Sequence, residues 1–202
     1  MYVNIRIRMK FYIIIPAHNE AQFLGLTLES LVNQSLLPSK IIVVDDNSTD
    51  ETAVIVQNYA EKHEFISLVT KKSDAIHLPG SKVIQAFQEG LQHINDDYDF
   101  IAKFDADLIF PSNYIETIIK HFESDEKIGM VGGFCYVEQN GHWILENLTD
   151  KDHIRGALKA YRKETFQQIG GNPIGCGYAS TPECHNGSRR PCRHALENVW
   201  QR

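Results

Sequence analysis

Long apolar runs, a disulfide framework and an excess of basic residues are all missing from this 202-residue sequence. No run approaches the ~18 apolar residues of a membrane-spanning helix, so we expect no transmembrane segment. Three of the four cysteines crowd into the tail, which leaves the main body without cysteine pairs. The net charge of -6 argues against nucleic acid as a partner, because its binders usually present a basic face. We expect a cytoplasmic protein, either free or peripheral to the inner face of the membrane.

Strands and helices alternate through the first half of the chain. Apolar, largely β-branched runs predict strands over residues 11–15, 41–44, 65–70 and 100–104, the first of them stopped by Pro16. Helical periodicity fills the intervals between them. This order predicts right-handed βαβ units, and therefore an α/β fold with a mostly parallel sheet covered by helices on both faces. Further strands are predicted over residues 128–137 and 156–162, and Asn140-Gly141 predicts a small hairpin region.

Local signals predict where individual helices begin. Ser48 and Glu51 have the spacing of a capping box that starts the second helix. Ser81 opens the third helix. Its predicted core face consists of Val83, Ile84, Phe87, Leu91 and Ile94.

Two carboxylates, Asp105 and Asp107, follow the apolar run at residues 100–104. In an extended chain, residues two apart point the same way, so both side chains can face one cavity. Two like charges this close repel unless a cation lies between them, and oxygen ligands suit Mg²⁺ or Mn²⁺. The pattern favours a metal–diphosphate site; a solvated loop that closes the strand is the alternative.

Polar clusters follow three of the predicted strands. His18, Asn19 and Glu20 come after the first strand, Asp45 and Asp46 after the second, and the acidic pair after the fourth. Parallel strands place their carboxyl ends on one edge, where ligands of such sheets bind. The three clusters therefore predict one ligand site at that edge.

Two phosphate-binding signatures are absent. There is no Gly-x-Gly-x-x-Gly after the first strand and no Gly-Lys-Ser/Thr loop, which disfavours dinucleotide-binding folds and phosphate-loop hydrolases. The charge of a diphosphate must then be met by a metal and a side-chain cation. Lys82, at the start of a predicted helix, is the candidate cation, with a solvated lysine as the alternative.

Three motifs together resemble the family 2 glycosyltransferases of the GT-A fold. They are Ile-Ile-Ile-Pro-Ala-His-Asn-Glu ending at Glu20, Val-Val-Asp-Asp-Asn-Ser-Thr-Asp ending at Asp50, and Phe-Asp-Ala-Asp ending at Asp107. The similarity continues through residues 156–162, ends at Ile169-Gly-Gly, and covers roughly residues 10–171. It implies a metal-assisted enzyme that transfers a sugar with inversion from a nucleotide-diphosphate donor, a UDP-sugar, to an acceptor hydroxyl. The implied acceptor is a saccharide or lipid-linked, as in cell-envelope polysaccharide assembly.

The resemblance also implies residue roles. His18 would stack on the base, Asp46 would accept a hydrogen bond from a base N–H, and Asp45 would support the same loop. Asp105 would reach the ribose or a metal-bound water, and Asp107 would bind the metal directly. The full implied set is Pro16, His18, Asn19, Glu20, Asp45, Asp46, Lys82 and Asp105 for the donor, and Asp107 with Asp105 for Mg²⁺ or Mn²⁺.

The tail at 172–202 departs from the family pattern. An inverting transferase needs a base for the acceptor proton, but no Asp occurs after Asp152, and Glu183 is the acid nearest the expected position. We expect a donor-binding domain over residues 1–171, truncated at its C-terminal side, followed by a tail that is disordered or out of frame. Two alternatives remain: a divergent acceptor or partner loop, and a zinc site formed by Cys176, Cys184 and Cys192 with His185 or His194.

Two rival functions remain open for the whole chain. One is a catalytically inactive sugar-nucleotide-binding domain that lacks the general base. The other is a nucleotidyltransferase, which also uses metal carboxylates at strand ends but normally adds a glycine-rich basic loop near its first strand. The plain His-Asn-Glu at that place, residues 18–20, argues against the second rival.

Overall fold

The computed structural model describes residues 9–71, 81–145, 154–171 and 200–201. Its main sheet has six strands in the order β3-β2-β1-β4-β9-β6. Strands β3, β2, β1 and β4 run parallel, whereas β9 is antiparallel to both β4 and β6. The strands of this sheet are β1 (Phe11–Ala17), β2 (Lys40–Asp46), β3 (Ile66–Lys71), β4 (Phe100–Phe104), β6 (Met130–Val131) and β9 (Leu158–Arg162).

Helices cover both faces of this sheet, as predicted. They are α1 (Leu24–Val32), α2 (Thr52–Ala60), α3 (Ser81–Gln92), α4 (Tyr114–Ser124) and α5 (Lys163–Gln168). Alternate residues of β1 serve opposite faces: Ile13 and Ile15 pack with α1, α2 and α4, whereas Ile14 packs with α3 and α5. The expected α/β fold with a mostly parallel sheet is therefore confirmed.

Two small antiparallel pairs accompany the main sheet. Strands β7 (Tyr136–Gln139) and β8 (His142–Leu145) form the predicted hairpin, with Asn140 at φ 53° and Gly141 at φ 78° in its turn. Strand β5 (Leu108–Ile109) pairs with β10 (Trp200–Gln201). Among the described residues, no helix has the length and apolar character required to cross a membrane.

Several predicted strand boundaries were wrong. The second strand, predicted to end at Val44, continues to Asp46, so Asp45 and Asp46 belong to β2 and do not follow it. Pro16 does not stop β1, which continues to Ala17. The β4 ladder on β1 ends at Ile14, so Pro16 is paired on the β2 side alone and its missing N–H costs nothing toward β4. The strand predicted over residues 128–137 is two strands in different sheets, β6 and β7.

The predicted inward face of α3 was wrong at one position. Val83 is 43% exposed, whereas Phe87 is buried and Ile84, Leu91 and Ile94 are partly buried. Ala86 takes the buried place beside Phe87, because the face toward the sheet is centred on small residues that allow a close approach.

Candidate functional site

The loops after β1 and β2 contact each other at the carboxyl edge of the sheet. Nδ1 of His18 lies 2.7 Å from the backbone carbonyl oxygen of Asp46. A carbonyl only accepts, so Nδ1 carries the proton and Nε2 can accept the side-chain amide of Asn19 at 3.3 Å. The imidazole of His18 is thus held in one orientation and one tautomer, against the end of β2.

Asn19 joins these two loops. Its backbone N–H donates to the Ser48 hydroxyl at 2.9 Å, and its side-chain oxygen accepts the Thr49 N–H at 2.8 Å. Asn19 has φ 55° and Asn47 in the partner loop has φ 59°, both in the left-handed region. Asparagine tolerates this conformation better than most residues, which explains its use at both turns.

Asp50 is a residue of this junction that the sequence analysis did not single out. Its carboxylate accepts the Thr52 N–H at 3.0 Å and the Ala21 N–H at 3.1 Å, and the Thr52 hydroxyl also donates to it. The hydroxyl of Thr52 in turn accepts the Glu20 N–H at 2.8 Å. The hydrogen bond from the Thr52 hydroxyl lowers the pKa of Asp50.

The predicted capping box at Ser48 and Glu51 was therefore wrong. Helix α2 begins at Thr52, and Glu51 at its N-cap makes no side-chain capping bond. The Ser48 hydroxyl accepts the Asn19 N–H from the other loop, and the Asp50 carboxylate accepts the N–H of Thr52, the first residue of the helix. The contact between Ser48 and Asn19 of the other loop therefore prevents the capping box, and Asp50 bonds the start of the helix instead.

Asp45 and Asp46 are the last residues of β2, and each is 4% exposed. The Asp45 carboxylate accepts the Ser48 N–H at 3.2 Å, so it supports the loop as expected. The Asp46 carboxylate lies 3.7 Å from the ammonium group of Lys71, its register partner at the end of β3. Lys71, at the carboxyl end of β3, is a second residue near the candidate site that was not predicted.

Asp105 and Asp107 lie in a turn and not in an extended strand, because β4 ends at Phe104. The prediction that an extended strand points both side chains the same way was therefore wrong. Asp107 is 8% exposed, and the side chain of Asp105 is 37% exposed. The ammonium group of Lys103 contacts the Asp105 carboxylate. This ion pair was not predicted.

The remaining predicted residues occupy different parts of the chain. Pro16 is buried near the end of β1, and Lys82 is the second residue of α3 and half-buried. The Lys71 ammonium group at the end of β3 donates to Gln85 near the start of α3 at 3.3 Å, so the start of α3, which includes Lys82, lies toward the carboxyl edge of the sheet. Glu183 and the tail residues proposed for a zinc site, Cys176, Cys184, Cys192, His185 and His194, lie outside the described residues.

The acidic turn after β4 fits a divalent cation that takes most of its ligands from a substrate. In the part of the chain that the structure describes, no group of three or more His, Cys, Asp or Glu side chains could hold a metal. Mg²⁺ and similar ions often bind through one or two carboxylates, with water and substrate phosphates completing the shell. Asp105 and Asp107 carry carboxylate oxygens of that kind, just past the carboxyl end of β4.

The family described as Glycosyl transferase family 2 matches this chain over residues 12–181. The Bacillus subtilis protein YdaM, named as a glycosyltransferase, is 29% identical over 193 residues, spanning 83% of this chain and 44% of YdaM. Chondroitin synthase of Pasteurella multocida is 30% identical over 139 residues, spanning 68% of this chain and 14% of the synthase. The chain thus spans less than half the length of either relative.

Solved GT-A structures share the fold. The mannosyltransferase PcManGT from Pyrobaculum calidifontis, in complex with GDP-Man and Mn²⁺, superposes with a TM-score of 0.60 at 20% identity, covering 81% of this chain and 47% of the enzyme. Residues 1–349 of TarS from S. aureus, in complex with UDP-GlcNAc, give a TM-score of 0.57 at 18% identity, covering 81% of this chain and 48% of that fragment. At these identities the likeness concerns the fold alone.

Proposed function

This chain belongs to glycosyl transferase family 2, and on that basis we propose that it transfers a sugar from a nucleotide-diphosphate donor to an acceptor hydroxyl with inversion. The donor is a UDP-sugar. The acceptor is a saccharide or a lipid-linked glycan of the cell envelope, met in the cytoplasm or at the inner face of the membrane. Two curated relatives named as glycan-polymer synthases, chondroitin synthase and poly-β-1,6-N-acetyl-D-glucosamine synthase, support an acceptor of this kind.

The donor base would lie between the two joined loops. His18 would stack on it, because its ring is held in place by the Asp46 carbonyl. The Asp46 carboxylate would accept a base N–H, such as N3 of uracil. Pro16, Asn19, Glu20 and Asp45 would shape the same wall. The fixed contact between His18 and Asp46 is the observation that carries this proposal, because it unites two of the three predicted clusters.

The diphosphate would lie between the turn after β4 and the start of α3. Asp107 would bind Mn²⁺ or Mg²⁺, Asp105 would reach the ribose or a metal-bound water, and Lys82 would approach the phosphates. When bound, the metal would stabilise the negative charge that develops on the departing nucleotide diphosphate. A base must also remove the proton of the acceptor hydroxyl as the new bond forms. Glu183 is the candidate for this step.

Calorimetric titration of UDP in the presence of Mn²⁺ tests the donor site. We expect binding to the wild type, loss of binding in Asp107→Ala, and loss in the wild type when EDTA removes the metal. Asp125→Ala is the matched control, because Asp125 follows α4 near Phe122 and Arg162, at the opposite edge of the sheet. Equal affinity in wild type and Asp107→Ala would overturn the metal assignment.

Product analysis separates an active enzyme from the rival functions. Release of UDP from a UDP-sugar, with transfer to an acceptor, supports the proposed reaction. Metal-dependent UDP binding without turnover would instead establish the inactive sugar-nucleotide-binding domain. Pyrophosphate release from a nucleoside triphosphate and a sugar phosphate would establish the nucleotidyltransferase.

A further inference from the structure

Lys103 is a buried lysine beside the acidic turn. It lies on β4, two residues before Asp105, and the residue is 8% exposed. Its ammonium group contacts Oδ1 of Asp105 and lies 3.2 Å from the backbone carbonyl oxygen of Gly156. A buried ammonium group needs a carboxylate and further acceptors around it, because desolvation of a lone charge is expensive. Asp105 and Gly156 supply both.

A second buried lysine increases the need for a negative charge beside Lys103. Lys159 of β9 is 3% exposed and is the register partner of Lys103, so the two side chains leave the same face of neighbouring strands. Like charges placed opposite each other across a strand pair are destabilising unless an anion lies nearby. The Asp105 carboxylate provides such an anion for the Lys103 side of the pair.

The backbone fixes Asp105 in the position where this ion pair forms. Its N–H donates to the carbonyl oxygen of Ala157 at 3.0 Å, directly before β9 begins. The segment before β9 is therefore held by two contacts, the Asp105 N–H on Ala157 and the Lys103 ammonium group on Gly156, and the Asp105 carboxylate pairs with that same ammonium group. This arrangement orients Asp105 toward the protein's own cation.

We propose that Lys103 is a positioning residue that neutralises Asp105 and withholds its carboxylate from the metal. This inference rests on the proposed function and refines it, because Asp107 then binds the cation without Asp105. Counted together, Asp105, Asp107 and Lys103 then carry one net negative charge. With no cluster of three protein ligands among the described residues, the metal enters together with the diphosphate and binds weakly before it.

Electron paramagnetic resonance of free Mn²⁺ tests this without nucleotide and without turnover. The wild type should bind Mn²⁺ weakly on its own. Lys103→Met should raise its affinity for Mn²⁺ about tenfold or more, because a second carboxylate becomes available to the ion. The double variant Lys103→Met/Asp105→Asn should lose that gain. Lys10→Met is the matched control, because it removes a lysine that pairs with Asp97 at the opposite edge.

Each outcome separates the inference from the function on which it rests. A gain that persists in the double variant reflects loss of positive charge alone and overturns the role of Asp105. No gain in Lys103→Met, in a wild type that binds Mn²⁺ with UDP, overturns the inference and leaves the proposed function standing. Absence of UDP-dependent Mn²⁺ binding in the wild type overturns the proposed function itself.

A second comparison covers the case in which Lys103→Met does not fold. Asp105→Asn keeps Lys103 hydrogen-bonded to Gly156, and its fold is checked by circular dichroism. Its affinity for Mn²⁺ alone, measured without UDP so that a lost ribose contact plays no part, should stay close to that of the wild type, whereas Asp107→Asn should lose binding. An equal loss in both variants would make Asp105 a metal ligand and refute the proposal.

Discussion

Gly90 shows how one missing side chain sets the position of a helix. A Cβ at this position of α3 would lie 2.6 Å from Cγ2 of Ile14 and 3.0 Å from Cγ2 of Val44. Both partners belong to central strands of the sheet, where side chains have little room to move. The helix therefore rests on the sheet at a distance that only glycine permits.

Gly90→Ala should destabilise the protein by about 1–3 kcal/mol, because overpacking against β1 and β2 outweighs the better helix propensity of alanine. Urea unfolding followed by circular dichroism measures the change. Gly25→Ala in α1 is the matched control, because its nearest neighbour, Cγ2 of Ile55, is 4.0 Å from the added Cβ. The control should gain about 0.5–1 kcal/mol from helix propensity. A gain in both variants would contradict the close approach.

Lys71 and Lys103 both contact acidic residues of the candidate site, and neither contact was predicted. Lys103 stands in a strand predicted from its apolar residues, and Lys71 comes directly after the strand predicted over residues 65–70, so neither lysine was assigned a role. The length of the lysine side chain contained the missing signal, because it can reach a carboxylate two positions further along the chain even where the strand ends between them. Lys103 and Asp105 have that spacing. For Lys71 the partner comes from the neighbouring strand, and its register cannot be derived from one sequence.

Among the elements, the strands and helices could be predicted and the loop contacts could not. Strand positions followed from apolar runs because burial on both faces demands them. On α1, Leu24, Leu28 and Leu31 recur at helical spacing and are buried. The segment 48–52 contains two possible capping arrangements, Ser48 with Glu51 and Asp50 with Thr52. The residues of the segment alone do not show which one forms. The decision came from Asn19, which engages Ser48 from a loop 29 positions away in sequence.

The junction between the loops after β1 and β2 should weaken at low pH. The Thr52 hydroxyl lowers the pKa of Asp50 from its usual 3.8, so the ionised carboxylate favours the folded state. This contribution is fully present above the unfolded pKa and is lost as pH falls through the lower, folded pKa. Asp50→Asn should therefore be less stable than the wild type at neutral pH, and the difference should shrink below about pH 4.

Urea unfolding midpoints of both proteins, measured from pH 7 down to pH 3, check this expectation. Asp125→Asn serves as the control, because Asp125 lies at the other edge and its carboxylate accepts only the nearby Lys127 N–H among the bonds described. A difference between wild type and Asp50→Asn that stays constant over this range would show that the charge of Asp50 does not act through the junction.

In the whole molecule, the carboxyl edge of the sheet and the opposite edge differ in role. The carboxyl edge holds the candidate site, whereas Arg162 ties strands and helix together at the other edge. Its guanidinium donates to the carbonyl oxygens of Phe122 at 2.6 Å and Ile128 at 3.1 Å. It also lies 5.6 Å and 5.3 Å from the ring centroids of Phe100 and Phe122, within cation–π range.

Arg162→Lys should lower the free energy of unfolding by about 1–3 kcal/mol, because lysine cannot reproduce the planar fork that reaches two carbonyls. The affinity for UDP with Mn²⁺ should stay unchanged, because the site lies at the opposite edge. Urea unfolding and calorimetry on the same preparation measure the two quantities. A parallel fall in affinity would mean that the edges are energetically coupled.

The bonds between the loops after β1 and β2 have a consequence for recognition. Because Asn19 is already hydrogen-bonded to Ser48 and Thr49, and Asp50 to Thr52, a ligand that binds here would freeze little additional backbone motion. If the donor base binds here as proposed, selectivity would come from rejection of a larger base, since a pre-organised surface does not adapt its shape.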